Sequence, residues 1–329
     1  MSAPLELLEC IQSASAVEAW QAIFDYAQKI CSAPLSVGSA SAEVTRRDRH
    51  LGAIDLLLSC AAYDLWREFE QSSERTAEAL INWWSAQSQG RAVLILDALS
   101  LREIPWILQG ATDRGFKIHS VKVTGAELPG DTTSFAKALG LPQRSALENN
   151  RAGQSYRLPG AHSDTVDLPW SDCANLIGSE PSWVLWHHWP DSRVHDLSVA
   201  GKGLDALTTE VATQLMSSDF WALIDRLATG RSVVITSDHG YAASGLFADV
   251  SNEEAQHLKA LFKSGRWRDR LSEESPWVPP VALTLHSRNG ENSFVLGRRK
   301  WKSSGGYPTL VHGGLSILEV ACPFIELSK

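Results

Sequence analysis

RAVLILD, residues 91–97, is an apolar run, Ala92–Leu96, that opens after an arginine and ends in a carboxylate. Its length, its Val, Leu and Ile content and the preceding Gly90 mark a strand buried on both faces, as strands are when helices cover both sides of a parallel sheet. The pattern recurs in FKIHSVKV (116–123), SWVLWHH (182–188) and SVVITSD (232–238), each followed by polar or helix-starting sequence. Short buried strands alternating with helical segments predict an α/β fold with a parallel sheet.

Upstream of Gly90 the pattern is different. AVEAWQAIFDYAQKI (16–30) and TAEALINWWSAQ (76–87) carry apolar residues at three-and-four spacing, so residues 1–88 are expected to form a small helical region preceding a domain over 89–329. Trp20, Trp66, Trp83 and Trp84 fall in these stretches and are expected to fill core. Downstream, VALTLHSR (281–288) and SFVLGRRKW (293–301) flank a hairpin turn, HGGLSILEVA (312–321) reads as a last helix, and the polar stretch 141–172 reads as a loop or lid.

A chain of 329 residues with net charge -8 and 44% hydrophobic residues has ample core, and its charge argues against a surface generally coated by nucleic acid. Glu6 and Glu9 stand where a secretory leader would be basic, so a cytoplasmic protein is expected. The greasiest window, GAIDLLLSCAAYDLW, is broken by Asp55 and Asp64, and no membrane span is expected. Five scattered cysteines without a CxxC pair predict neither a disulfide framework nor a thiolate metal site.

Ligands of parallel α/β sheets gather at the carboxyl ends of the strands. Asp97 ends the first run, the third leads into Asp191 and His195, the fourth ends in Asp238-His239, and His312 precedes two glycines. Three aspartates and three histidines suffice for two divalent metal sites with positions left open, and paired metals suit in-line displacement at phosphorus. Singly, each has a plainer reading: a strand-end Asp caps helices, Asp-His-Gly makes a turn around a positive-φ Gly240, and His312 fills core. Order and placement together carry the metal reading.

The segments LILDALSLRE, LPGDTTSFAKAL, WVLWHHWPDSRVH, VVITSDHGY and VHGGLSILEVACPFI, spread over residues 91–327, resemble the PglZ-domain family of the alkaline phosphatase superfamily. The resemblance implies an alkaline-phosphatase-like parallel-sheet sandwich holding two divalent ions, zinc with manganese as the alternative. It implies one metal on Asp97, Asp238, His239 and a nucleophilic hydroxyl, and the other on Asp191, His195 and His312. The nucleophile it implies is Thr132, with Thr133 and then Ser100 as competitors. A hydroxyl at a helix start is well placed for activation, and Asp131-Thr132-Thr133 also reads as a helix N-cap.

Many family members have an arginine after Asp-Ala-Leu, where this chain has Ser100, with Arg102 two residues on. His187 is a candidate to hydrogen-bond a ligand, and equally to pack in the core against Trp186 and Trp189. The basic clusters Lys263, Arg266, Arg268, Arg270 and Arg298, Arg299, Lys300, Lys302 read by default as a solvated face and could also flank a phosphate-rich substrate. The expected activity is phosphodiester hydrolysis, on nucleotides or oligonucleotides, in a BREX-type phage-defence setting with other defence proteins as partners. The alternatives are a metal-stabilised scaffold subunit without catalysis, and phosphomutase or sulfatase chemistry on the same fold.

Overall fold

A computed structural model describes residues 4–198, 203–270, 281–303 and 308–329. Five helices come first: α1 (Leu5–Ser13), α2 (Ala16–Cys31), α3 (Ala40–Cys60), α4 (Asp64–Ser72) and α5 (Thr76–Ala86). A Ser15/Glu18 capping box starts α2. Its buried face, Trp20, Ile23, Phe24 and Ala27, follows the expected spacing. Trp20, Trp66 and Phe69 form an aromatic knot with ring centroids 4.7 to 5.5 Å apart. Trp84 is buried as expected, while Trp83 is only partly so.

The sheet contains β1 (Gly90–Leu96), β2 (Lys117–Gly125), β3 (His162–Val166), β4 (Ser182–His187), β5 (Arg231–Thr236) and a C-terminal strand, Ala321–Ser328. Their order is β2, C-terminal strand, β5, β1, β4, β3. Five strands run parallel and the C-terminal strand runs antiparallel between β2 and β5, so the sheet is mixed and mostly parallel. The central β5, β1 and β4 are almost wholly buried, which explains their continuous apolar sequences. One apolar cluster joins Trp20, Leu51 and Phe69 of the helical region to Leu94, Leu96 and Ile325 of the sheet.

Two expectations need correction and a third is extended. The stretch 141–172, which follows α6 (Ile104–Asp113) and α7 (Thr132–Ala138), is not one long loop, because it contains a 3-10 segment (Arg144–Asn150), edge strand β3 and the start of α8 (Trp170–Leu176). HGGLSILEVA holds only one helical turn, Ile317–Val320, before the chain enters the C-terminal strand. The hairpin, Ala282–Ser287 with Gly290–Val295, forms as expected and gains a third strand, Trp267–Asp269.

A buried ionic network fastens the parts together. Asp48 on α3 accepts from Arg102, just beyond β1, and from Arg298, just after the hairpin; Arg298 also pairs with Asp55. Asp55 accepts in addition from the Ile317 backbone N–H at 2.7 Å. Arg266 pairs with buried Glu319 at 2.5 Å, and Glu319 in turn accepts from Gly314 N–H and Ser316 Oγ. Arg266 and Arg298 therefore hold the fold, which corrects both expectations, a solvated face and a role beside a substrate, at these two positions.

No described helix is long and apolar enough to cross a membrane.

Candidate metal centre and active site

β5, β1 and β4 lie side by side, so the residues just past their carboxyl ends meet at one edge of the sheet. Backbone bonds fix that edge: Asp97 N–H donates to His187 O at 3.0 Å and Asp191 N–H to Asp97 O at 2.9 Å. Ala98 takes a left-handed conformation, φ 60°, unfavourable for a residue with a Cβ, and its N–H donates to Asp238 Oδ1 at 3.0 Å. Gly240 does not supply the positive φ its turn reading called for; it is needed because a Cβ there would sit 2.3 Å from Leu318 O. Two residues beyond, Ala242–Ala243 pairs antiparallel with Leu310–Val311, which brings His312 alongside His239. Gly313, at φ 93°, then turns the chain away.

The imidazoles of His239 and His312 stack with centroids 4.4 Å apart. His239 Nδ1 lies 3.0 Å from Gly240 O and His312 Nδ1 lies 3.3 Å from Gly130 O. A carbonyl only accepts, so in both rings Nδ1 carries the proton, and a neutral ring then has a lone pair on Nε2. His239 Nε2 lies 3.5 Å from Asp97 Oδ1 and 3.6 Å from Asp238 Oδ2. His312 Nε2 lies 3.8 Å from Asp191 Oδ1, and His195 Nε2 lies 3.3 Å from Asp191 Oδ2.

Two clusters of donor atoms result: Asp191, His195 and His312, and Asp97, Asp191 and His239, each with its atoms within 4.8 Å of one another. Asp191 belongs to both. Asp238 adjoins the second through His239. Asp191 Oδ1, Asp238 Oδ2 and His239 Nε2 are buried without a hydrogen-bond partner. Unpartnered buried acceptors are costly, and divalent cations among these atoms would satisfy them, so the residues present fit the implied metals.

The electrostatics agree. Burial, with the charges of Asp238 and Asp191, pushes the Asp97 carboxyl well above the usual carboxylate range. Burial opposes charge on His239, yet Asp238 and Asp191 outweigh it and raise its pKa. Burial acts against the Asp191 carboxylate, but His195, His239 and His312 hold its pKa below the ordinary value. The cluster draws in positive charge, as a cation site does.

Of the three candidate nucleophiles, Thr132 is the one in contact with the cluster. It is the first residue of α7 (Thr132–Ala138), and its Oγ1 donates to Asp97 Oδ2 at 3.2 Å and Oδ1 at 3.3 Å. Asp131 is the N-cap, its carboxylate accepting from Ser134 N–H at 2.8 Å. Thr133 is exposed. Ser100 lies in a capping box with Glu103, its Oγ accepting from Arg102 N–H and Nη1. Arg75 holds the approach to Thr132, bonding Ala126 O and pairing with Glu127 at 3.4 Å.

The His187 side chain bonds to no candidate ligand and is packed in the core, the second of its two expected roles. Its Nε2 donates to Leu168 O at 2.8 Å, its Nδ1 accepts from Trp189 N–H at 2.9 Å, and Trp170 packs on it at 4.3 Å; it braces the turn before Asp191. Arg144, by contrast, is not among the residues the sequence pattern singles out, and its Nη1 pairs with Asp97 Oδ2. Its one signal is a basic residue shortly after α7 in a stretch that otherwise reads as loop.

The mostly parallel sheet with an Asp/His cluster at its carboxyl edge defines an alkaline-phosphatase-like α/β protein. The chain belongs to the family described as the BREX system PglZ alkaline phosphatase-like domain, whose profile matches residues 140–327, more than half its length. That span includes Asp191, His195, Asp238, His239 and His312, and begins after Asp97 and Thr132. No curated protein matches the chain. Among solved structures, murine ectonucleotide pyrophosphatase/phosphodiesterase 5 is similar at 12% identity, with a TM-score of 0.48, over 73% of this chain and 88% of that one. An inactive form of it in complex with AMP gives a TM-score of 0.47 at 12% identity, with the same coverage. The human protein gives 0.44 at 11% identity, also over 73% and 88%.

Proposed function

We propose that the chain is a metal-dependent phosphodiesterase with Thr132 as nucleophile. The observation that carries this reading is the bond from Thr132 Oγ1 to Asp97, inside a cluster with unpartnered buried donors. Asp97, Asp238, His239 and Thr132 would hold one divalent cation and Asp191, His195 and His312 the other, with Asp191 in reach of both. Zinc is the favoured ion, and manganese suits the same donors. Bound cations would supply Lewis-acid stabilisation of charge developing on the phosphoryl oxygens.

The chain's own residues do the rest. Asp97 orients the Thr132 hydroxyl and draws on its proton. Thr132 Oγ1 bonds to phosphorus as the bond to one ester oxygen breaks, and the hydroxyl proton leaves with the departing alcohol. Water then cleaves the phosphothreonine, restoring the hydroxyl and releasing a phosphomonoester. His312 bonds to Gly130 O and Arg75 to Ala126 O, both in the segment leading to Thr132, so the nucleophile is fixed before substrate arrives.

The BREX system in the family's description supports a phage-defence setting, and our reading adds to it a cytoplasmic location, a nucleotide or oligonucleotide diester as substrate and other defence proteins as partners. In this reading the helical region 1–88 braces a catalytic domain over 89–329. Assaying bis-para-nitrophenyl phosphate, para-nitrophenyl phosphate and para-nitrophenyl sulfate with zinc or manganese tests it. Diester turnover that Thr132→Ala abolishes is the expected result; turnover confined to the sulfate, or none with any substrate, overturns it.

A further inference from the structure

Arg144 opens the 3-10 segment that comes after α7, and its guanidinium sits against Asp97 Oδ2, the oxygen that also accepts from Thr132. Asp97 is fully buried, whereas the Arg144 side chain keeps 25% of its surface exposed, so the guanidinium bridges the cluster and the solvent side. Guanidinium offers five N–H donors, and Asp97 is its one hydrogen-bond partner among the described residues. No other described Lys or Arg pairs with a member of the Asp/His cluster.

Arg102, the basic residue nearest Asp97 in sequence, is not free for the task. It is buried, with its nitrogens on Asp48, Ser100 Oγ and Tyr241 O. Arg144 also acts on the end of β4. His187 is held down to about 4 by burial first, with the Arg144 charge adding to it, and His188 is lowered by the same two causes in the same order.

We propose that Arg144 is a substrate-binding residue that receives the nonbridging oxygens of the phosphoryl group beside Thr132. This rests on the phosphoesterase reading and adds to it the group that grips the anion. A planar fork pairs with two phosphoryl oxygens at once, which a lysine does not do. The guanidinium rests on Asp97 through Nη1, leaving its other nitrogens as donors. Cations drawn to Asp97 would repel it, and the substrate anion would then take its remaining donors.

Isothermal titration of inorganic phosphate into the zinc-loaded Thr132→Ala protein reads the contact without turnover. Adding Arg144→Gln should weaken phosphate at least tenfold, while metal content by mass spectrometry and the Tm stay unchanged. In the Thr132 background, Arg144→Gln should lower kcat/KM for the diester about a hundredfold, with Arg144→Lys recovering part. Equal phosphate affinity with and without Arg144 overturns the proposal, as does loss of metal in Arg144→Gln, which would make the residue a support for Asp97. If the wild type hydrolyses no phosphate ester, the phosphoesterase reading fails; if it does and Arg144→Gln matches it, only the Arg144 assignment fails.

Discussion

Thr132 Oγ1 and Asp97 Oδ2 stand 3.2 Å apart although the residues are 35 positions apart in sequence, one starting α7 and the other just past β1. The contact sets a hydroxyl against a buried carboxylate whose pKa is raised by burial and by two neighbouring aspartates. Thr132→Ala should lower diester turnover at least about a thousandfold, the scale of losing a nucleophile, and keep its metals. Thr132→Ser should retain part of the activity, and Thr133→Ala, at an exposed position, nearly all of it. Steady-state kinetics beside metal analysis checks this.

Asp191 belongs to both donor clusters, whereas His195 belongs to one. Asp191→Asn should therefore deplete both metals, and His195→Ala only one. Inductively coupled plasma mass spectrometry distinguishes the two variants, and equal loss in both would mean that the sites are not separable in this way.

Asp48 is 1% exposed and accepts from buried Arg102 and from the largely buried Arg298. Asp48→Ala leaves buried Arg102 without a carboxylate partner and Arg298 with Asp55 alone, and should cost about 3–5 kcal/mol. Because Arg102 lies just past β1 and Arg298 just past the hairpin, the loss should appear in denaturant unfolding as a lowered midpoint. A change under about 1 kcal/mol would mean that water reaches the network and repairs it.

Glu103 is fully buried, and burial pushes its carboxyl up to about 7 despite the nearby Arg102 and the Tyr241 hydroxyl at 2.7 Å. Its folded pKa exceeds the ordinary 4.5, so between pH 4.5 and 7 the folded chain keeps a proton that the unfolded chain has released. Stability should therefore fall as pH rises through that window. Glu103→Gln carries no such proton, and its Tm relative to wild type should rise by several degrees between pH 4.5 and 7.5. Parallel thermal melts at stepped pH measure the difference.

The buried strands were legible because burial on both faces leaves a continuous apolar run, as in RAVLILD and SVVITSD. β3 was not: it is five residues at the sheet edge, reads HSDTV, and pairs only with β4. The C-terminal strand was hidden by Pro323, which argues against a central strand; its ladder with β5 begins one residue later, at Phe324. Of the site, sequence order pointed to the residue types that converge, since strand ends must meet at one edge. The double position of Asp191, the reach of Arg144 back to Asp97 and the structural use of Arg266 and Arg298 depend on tertiary packing, which no local spacing encodes.

The most direct measurement is metal content of the purified wild type and Asp191→Asn, with bis-para-nitrophenyl phosphate turnover on the same samples. About two zinc or manganese ions per chain with turnover, both lost in Asp191→Asn, is the expected result. A wild type that binds no divalent metal after supplementation, or that hydrolyses the diester equally well without metal, would contradict a two-metal phosphodiesterase.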